Sequence, residues 1–231
     1  MTTLYLIRHG QTDNNLMGCY NGCKSDQPLN ELGLRQAAAL TAPFAVHLPD
    51  VICSSPLRRA VMTAEGVRGN RDMPIKTVYN IREMDMGDLD GVTFAETREK
   101  YTEIWHNWHE EPEKLQMPNG ENFYTVQERA AAAISQLVRE NRGKKIAVVA
   151  HGSLLVLAMA RFFGLSLRER YRVPYLANAS YHVLLIEDDG HFTVPAFRCV
   201  EHLTGDLLST TVEPRDTEGL LGEQFYADFG G

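Results

Sequence analysis

Short unbroken apolar runs alternate along this chain with longer stretches whose apolar residues recur at helical spacing. The run TLYLI, residues 3–7, has the length of a buried strand. NELGLRQAAALTAPF, residues 30–44, reads as a helix that Asn30 caps, with Pro43 near its end. DVICSS, residues 50–55, and PLRRAVMTAEGV, residues 56–67, repeat the beat. Here Ser55 is the expected N-cap and Pro56 the first helical residue, where a missing N–H costs nothing. PIKTVY, residues 74–79, reads as a third strand.

Between residues 80 and 118 the rhythm breaks. This stretch holds both tryptophans, several acids and Pro112, and predicts an inserted helical cap over residues 84–120 of a single domain spanning 1–231. From 122 to 142, Phe123, Val126, Ala130, Ile134, Leu137 and Val138 mark one buried helical face. KKIAVVA, residues 144–150, is the strongest strand pattern, and it runs through His151-Gly152 into the apolar helix SLLVLAMARFFG, residues 153–164. SYHVLLIE, DDG and HFTVPAF, residues 180–197, read as a hairpin. The alternation predicts an α/β fold: a doubly wound, mostly parallel sheet with helices on both faces and antiparallel partners at its end. Residues 210–231 form a C-terminal tail without an assignment.

Composition changes this picture little. Apolar residues make up 44% and charged residues 23% of the chain, ordinary usage for a globular domain. A net charge of −7 without runs of Lys or Arg argues against a general nucleic-acid binder and leaves room for a local basic pocket. No apolar stretch reaches the roughly 20 residues of a membrane span. MTTLYLIRHG also lacks the zones of a secretory signal, so a cytoplasmic protein with no membrane partner is expected. The cysteines, Cys19, Cys23, Cys53 and Cys199, lack the repeated pairing of a zinc site and are expected as free thiols.

Candidate chemistry sits at two strand ends. In open α/β sheets ligands bind outside the carboxyl ends of the strands, where strand order reverses. The first strand ends at Arg8-His9-Gly10 and the KKIAVVA strand at His151-Gly152. As neighbours about 4.8 Å apart, these strands would bring both imidazoles to one phosphoryl-sized group. Arginine offers a planar fork of donors for phosphate or carboxylate oxygens, and Gly10 and Gly152 let the backbone approach a ligand. The expected guest is an anion.

LIRHGQTDNN, SSPLRRAVMTA, REMDMGDLDG and VVAHG resemble, in order, the four signature blocks of the histidine phosphatase superfamily, the phosphoglycerate-mutase-like branch. The resemblance implies that His9 is the nucleophile, forming phosphohistidine, while Arg8, Arg59 and His151 hold the phosphoryl oxygens with Gly152 beside them. Asn15 matches the family's anion-contacting Asn. Glu83 matches its general acid, which protonates the leaving alkoxide and later activates water. The family's phosphate-binding Arg directly precedes the Ala of its helix, which selects Arg59, and Arg58 is expected in solvent. These residue types suit phosphoryl transfer: a neutral imidazole is nucleophilic near pH 7, and the remaining work is positioning and charge stabilisation. No metal or other cofactor is expected.

The chain departs from the family at Gln11, where many members have Glu, and at Cys19, where many carry a phosphate-contacting Arg. A missing cation disfavours a second anionic group on the substrate. From Glu83 to His151 there are 151 − 83 = 68 positions, shorter than in the family's mutases, so the resemblance implies hydrolysis of a small-molecule phosphate ester. GCYNG and WHNWHEEPEKLQMPNGENF further resemble members acting on α-ribazole 5′-phosphate, although broad-specificity members share much of this pattern. A phosphoglycerate mutase and a phosphate-binding regulatory protein with little turnover are the alternatives, and a homodimer is left open. Tyr101, Trp105, Trp108 and Phe123 are expected to pack the cap.

Overall fold

In the computed structural model the opening run forms β1 (Thr2–Arg8), buried at the centre of a sheet with seven strands among the described residues. The structure describes residues 1–208, 224–227 and 229. A one-turn helix α1 (Asp13–Leu16) precedes α2 (Glu31–Ala39) and α3 (Thr41–His47), which lead to β2 (Val51–Ser54). Helix α4 (Arg58–Arg68) connects to β3 (Ile75–Thr77), and the short helices α5 (Phe94–Lys100) and α6 (Thr102–His109) follow. Then come α7 (Phe123–Glu140), β4 (Lys145–Ala150) and α8 (Gly152–Phe162). The chain closes on β5 (Tyr181–Ile186), β6 (His191–Cys199) and an edge strand β7 (Gln224–Tyr226).

Strand order is β3-β2-β4-β1-β5-β6-β7. The first four strands run parallel, while β5, β6 and β7 are each antiparallel to their neighbours. Alternation along the central strands divides the core in two. Leu4, Leu6, Ile146, Val148 and Ala150 pack with α7 and α8, whereas Tyr5, Ile7, Ala147 and Val149 pack with Phe44 of α3 and Ala60, Ala64 and Val67 of α4. The connection leaving β1 therefore covers one face and the helix leaving β4 covers the other. Their divergence opens a crevice at the carboxyl ends of these two neighbours. No helix among the described residues is long and apolar enough to cross a membrane.

Several boundaries differ from the sequence pattern for local reasons. The helix expected over residues 30–44 is two helices, capped as expected by Asn30, whose side chain accepts the Gly33 N–H. The break at Leu40 follows from Pro43, which has no N–H for the Ala39 carbonyl and is tolerated in the first turn of a new helix. Helix α4 begins at Arg58 rather than Pro56, so Ser55 does not cap it. Helix α1 is too short to show periodicity and is nucleated by a capping box between Thr12 and Asn15. Within the unassigned tail, residues 224–226 form β7 and Phe229 packs on Phe162 and Phe192, and the remainder apart from Ala227 lies outside the described residues.

Candidate active site

Parallel pairing sets Arg8 against Ala150, so the next residue of each strand, His9 or His151, emerges beside the other. Their ring centroids are 5.2 Å apart and both side chains are buried. His9 Nδ1 lies 2.6 Å from the Gly10 carbonyl oxygen. A carbonyl only accepts, so Nδ1 carries the proton and the lone pair sits on Nε2. Burial, then the charges of Arg59 and Arg8, hold this imidazole well below its usual pKa and keep it neutral at neutral pH. His151 Nε2 is 2.7 Å from Ser55 Oγ, whose oxygen accepts the Leu57 N–H and whose proton is free to donate. In that arrangement His151 Nδ1 carries the ring proton. Burial and Arg59 keep His151 neutral as well.

The arginines differ sharply in setting. Arg8 donates from Nη1 to the Leu176 carbonyl at 2.7 Å and lies over the Tyr175 ring. Arg59 is fully buried; its Nη1 donates to the Ser25 carbonyl at 3.2 Å and its Nη2 to those of Asn21 and Gly22 at 3.0 and 2.9 Å. Burial pushes its pKa down to about 10, partly offset by Glu83, which leaves it charged at neutral pH. Arg58 is exposed, with its backbone N–H on the Asp26 carboxylate.

Glu83 sits in an irregular segment between β3 and α5, yet it is buried. Its Oε1 accepts the N–H groups of Met84 and Leu154 at 2.8 and 3.2 Å, and its Oε2 accepts that of Ser153 at 3.3 Å. The carboxyl thus rests on the first turn of α8. Burial raises its pKa, against the Met84 N–H, Arg59 and Arg129, which favour the ionised form. Asn15 is half-buried; its Oδ1 accepts from the Thr12 N–H and Asn178 Nδ2, so its own Nδ2 is the group able to donate to an anion.

The two glycines make their close approaches to neighbouring chain. A Cβ on Gly10 would lie 2.7 Å from the Gly33 oxygen in α2, and one on Gly152 would lie 2.2 Å from the Tyr175 hydroxyl. A neutral imidazole, two guanidinium groups, a second imidazole and a buried carboxyl therefore meet at one crevice, close enough to shift one another's ionisation.

A model of the histidine phosphatase superfamily (branch 1) matches residues 4–198. The chain belongs to that superfamily. This histidine phosphatase is 30% identical over 188 residues to phosphoserine phosphatase 1 of Hydrogenobacter thermophilus, covering 81% of this chain and 88% of the relative. It is 32% identical over 163 residues to the adenosylcobalamin/alpha-ribazole phosphatase of Escherichia coli, covering 70% and 79%. The solved structure of Bacillus stearothermophilus YhfR superposes with a TM-score of 0.82 at 33% identity, covering 87% of this chain and 99% of that one. Relatives of this kind make the protein a phosphatase.

Sequence reasoning missed several residues that shape the histidine phosphatase site. Ser55 supports His151, and Asn178 donates to the His9 carbonyl at 3.1 Å. Asp90 folds the loop that holds Arg59: it accepts from the N–H groups of Gly22, Lys24 and Ser25 and from the Ser25 hydroxyl at 2.7–3.0 Å. Its position in REMDMGDLDG was the one available signal. Cys19 is buried and bridged through its backbone to Thr93, and all four cysteines are free. Trp108 packs edge-on to Tyr20 and Phe123, and Trp105 packs on His109. Among the described residues no three His, Cys, Asp or Glu side chains are grouped to hold a metal ion.

Proposed function

We propose that this histidine phosphatase hydrolyses a small phosphate monoester in the cytoplasm, without a metal ion, through a phosphohistidine on His9. The observation that carries the reading is the Gly10 carbonyl on His9 Nδ1, which commits the lone pair to Nε2. Further support comes from Arg8 Nε, Arg59 Nε and His151 Nδ1, which are buried without hydrogen-bond partners among the described residues. An unpaired buried donor costs roughly 1–3 kcal/mol, and the equatorial oxygens of a phosphoryl group are acceptors for all three. Asn15 Nδ2 and the Gly152 N–H complete the anion's contacts.

In the first step Nε2 attacks phosphorus, the bond to the alcohol oxygen breaks, and Glu83 gives that oxygen its proton. The Glu83 carboxylate then takes a proton from a water that attacks the phosphohistidine, which returns neutral His9 and inorganic phosphate. Cys19 offers no cation, and burial raises its thiol pKa further, which favours a substrate with a single phosphate. α-Ribazole 5′-phosphate and phosphoserine, after which its relatives are named, are the first two to compare.

Rapid quench with phosphorus-labelled p-nitrophenyl phosphate in EDTA is expected to trap an acid-labile, base-stable phosphoprotein that is absent in His9→Ala. A normal phosphoenzyme level in that variant refutes the assignment.

A further inference from the structure

Outside the phosphoryl crevice, a half-buried ion pair grips the segment that carries Glu83. Apart from a 3₁₀ turn over Tyr79–Ile81, residues 80–85 have no regular structure to fix their course. Arg129, on α7, uses all five of its N–H donors here. Its Nη1 donates to the Asn80 and Arg82 carbonyls at 2.9 and 2.8 Å, and its Nη2 to the Glu83 carbonyl at 3.1 Å. The remaining donors form a two-pronged pair with Glu121, Nε to Oε1 and Nη2 to Oε2, both at 2.8 Å. Glu121 in turn accepts the Asp85 N–H at 2.9 Å, and its own N–H donates to the Asp85 carbonyl at 2.9 Å.

The backbone on both sides of Glu83 is thereby fastened to α7, while its carboxyl rests on α8. These two helices share one core cluster, so the grip and the rest belong to one packed unit. We propose that Arg129, oriented by Glu121, is a positioning residue that aims the Glu83 carboxyl at the leaving oxygen and at the attacking water. A proton donor works only within about 2.6–3.2 Å of its acceptor, and a misplacement of about 1 Å can cost roughly 10²-fold. Lysine at 129 retains the charge but replaces a rigid five-donor fork with one mobile nitrogen, which cannot span three carbonyls and a carboxylate. The inference rests on Glu83 being the proton donor.

The test compares single-turnover phosphorylation of the enzyme by phenyl phosphate, whose leaving group needs a proton, and by p-nitrophenyl phosphate, whose phenolate leaves unaided. Arg129→Lys and Glu121→Gln are each expected to lose about tenfold or more with phenyl phosphate and under about threefold with p-nitrophenyl phosphate, the same pattern as Glu83→Gln. Arg129→Lys added to Glu83→Gln should slow phenyl phosphate no further, because the two residues act through one carboxyl. Circular dichroism establishes folding, and if Arg129→Lys does not fold, Glu121→Gln carries the same comparison. A loss equal for both substrates, or no loss, overturns the inference while Glu83→Gln still discriminates between leaving groups. If Glu83→Gln itself does not discriminate, the proton-donor reading of Glu83 fails and this inference falls with it.

Discussion

Gly33→Ala is a substitution for which helix propensity and packing predict opposite signs. Gly33 is the third residue of α2, where alanine on an isolated helix would be better by about 1 kcal/mol. Its Cβ, however, would sit 2.0 Å from the Gln11 carbonyl oxygen, 2.8 Å from the Gln11 nitrogen and 2.9 Å from the Gln11 carbonyl carbon. Ordinary carbon–oxygen contacts begin near about 3.3 Å, so two backbones must part by about 1 Å. Gln11 resists that movement, since its N–H is held by Gln36 Oε1 at 2.8 Å and its carbonyl by the Asn30 N–H at 3.0 Å. Overpacking costs about 1–3 kcal/mol and each lost hydrogen bond about 1 kcal/mol, which leaves a net destabilisation of about 2–4 kcal/mol after the propensity gain. Gln11 is two residues from His9, so the same shift should lower kcat/KM by about 10²-fold. Urea denaturation and steady-state assays with p-nitrophenyl phosphate read both effects. A Gly33→Ala protein as stable as the parent, with activity within about twofold, would refute the reasoning.

Two further expectations concern charge and pH. Arg59→Ala should reduce kcat/KM by about 10²-fold or more while Arg58→Ala costs little, and equal losses in the same assay would mean that the buried guanidinium has no special role. His182 on β5 accepts the Arg198 N–H at its Nδ1, and burial pushes its pKa down to about 3. The unfolded chain takes up this proton near pH 6.5 and the folded chain does not, so stability is complete above that pH and falls as pH drops toward 3. Between pH 7 and 4 the loss from this one group is about 3 kcal/mol. Urea midpoints across that range should fall less steeply in His182→Gln, and an unchanged slope would mean that His182 is protonated in the folded protein.

What was legible in the sequence was what one segment determines by itself. TLYLI and KKIAVVA announce strands because both of their faces are buried, and a histidine at each end marks the crevice between them. The choice of Arg59 over its neighbour needed the family pattern, since both residues belong to the same helix and only depth separates them. Pro43 was visible, but its effect depended on where the first helix lost its hydrogen bonding. Ser55 looked like a helix cap and instead supports His151. Arg129 and Asn178 were silent and Asp90 was marked only by its motif, because the loop contacts that give them their roles, Arg129 with Glu83, Asn178 with His9 and Asp90 with Ser25, lie between 46 and 169 residues away. Faces are written in the order of residues; pairings across the fold are not.

The central position of β1 has a consequence for synthesis. Thr3 pairs with Lys145 on one side and Leu185 on the other, so this strand leaves the ribosome ahead of both its neighbours and waits for them. The nearer one follows 145 − 3 = 142 residues later, which at about 5–20 residues per second is about 7–30 s. During that interval an apolar strand is without partners on either edge, a template for pairing with any other chain nearby. Slow translation or crowding by sister chains would therefore tax this protein at β1, long before any defect in the finished enzyme. A nascent chain halted before Lys144 carries His9 but has neither the central strand pair nor the second histidine that stands beside it in the finished fold.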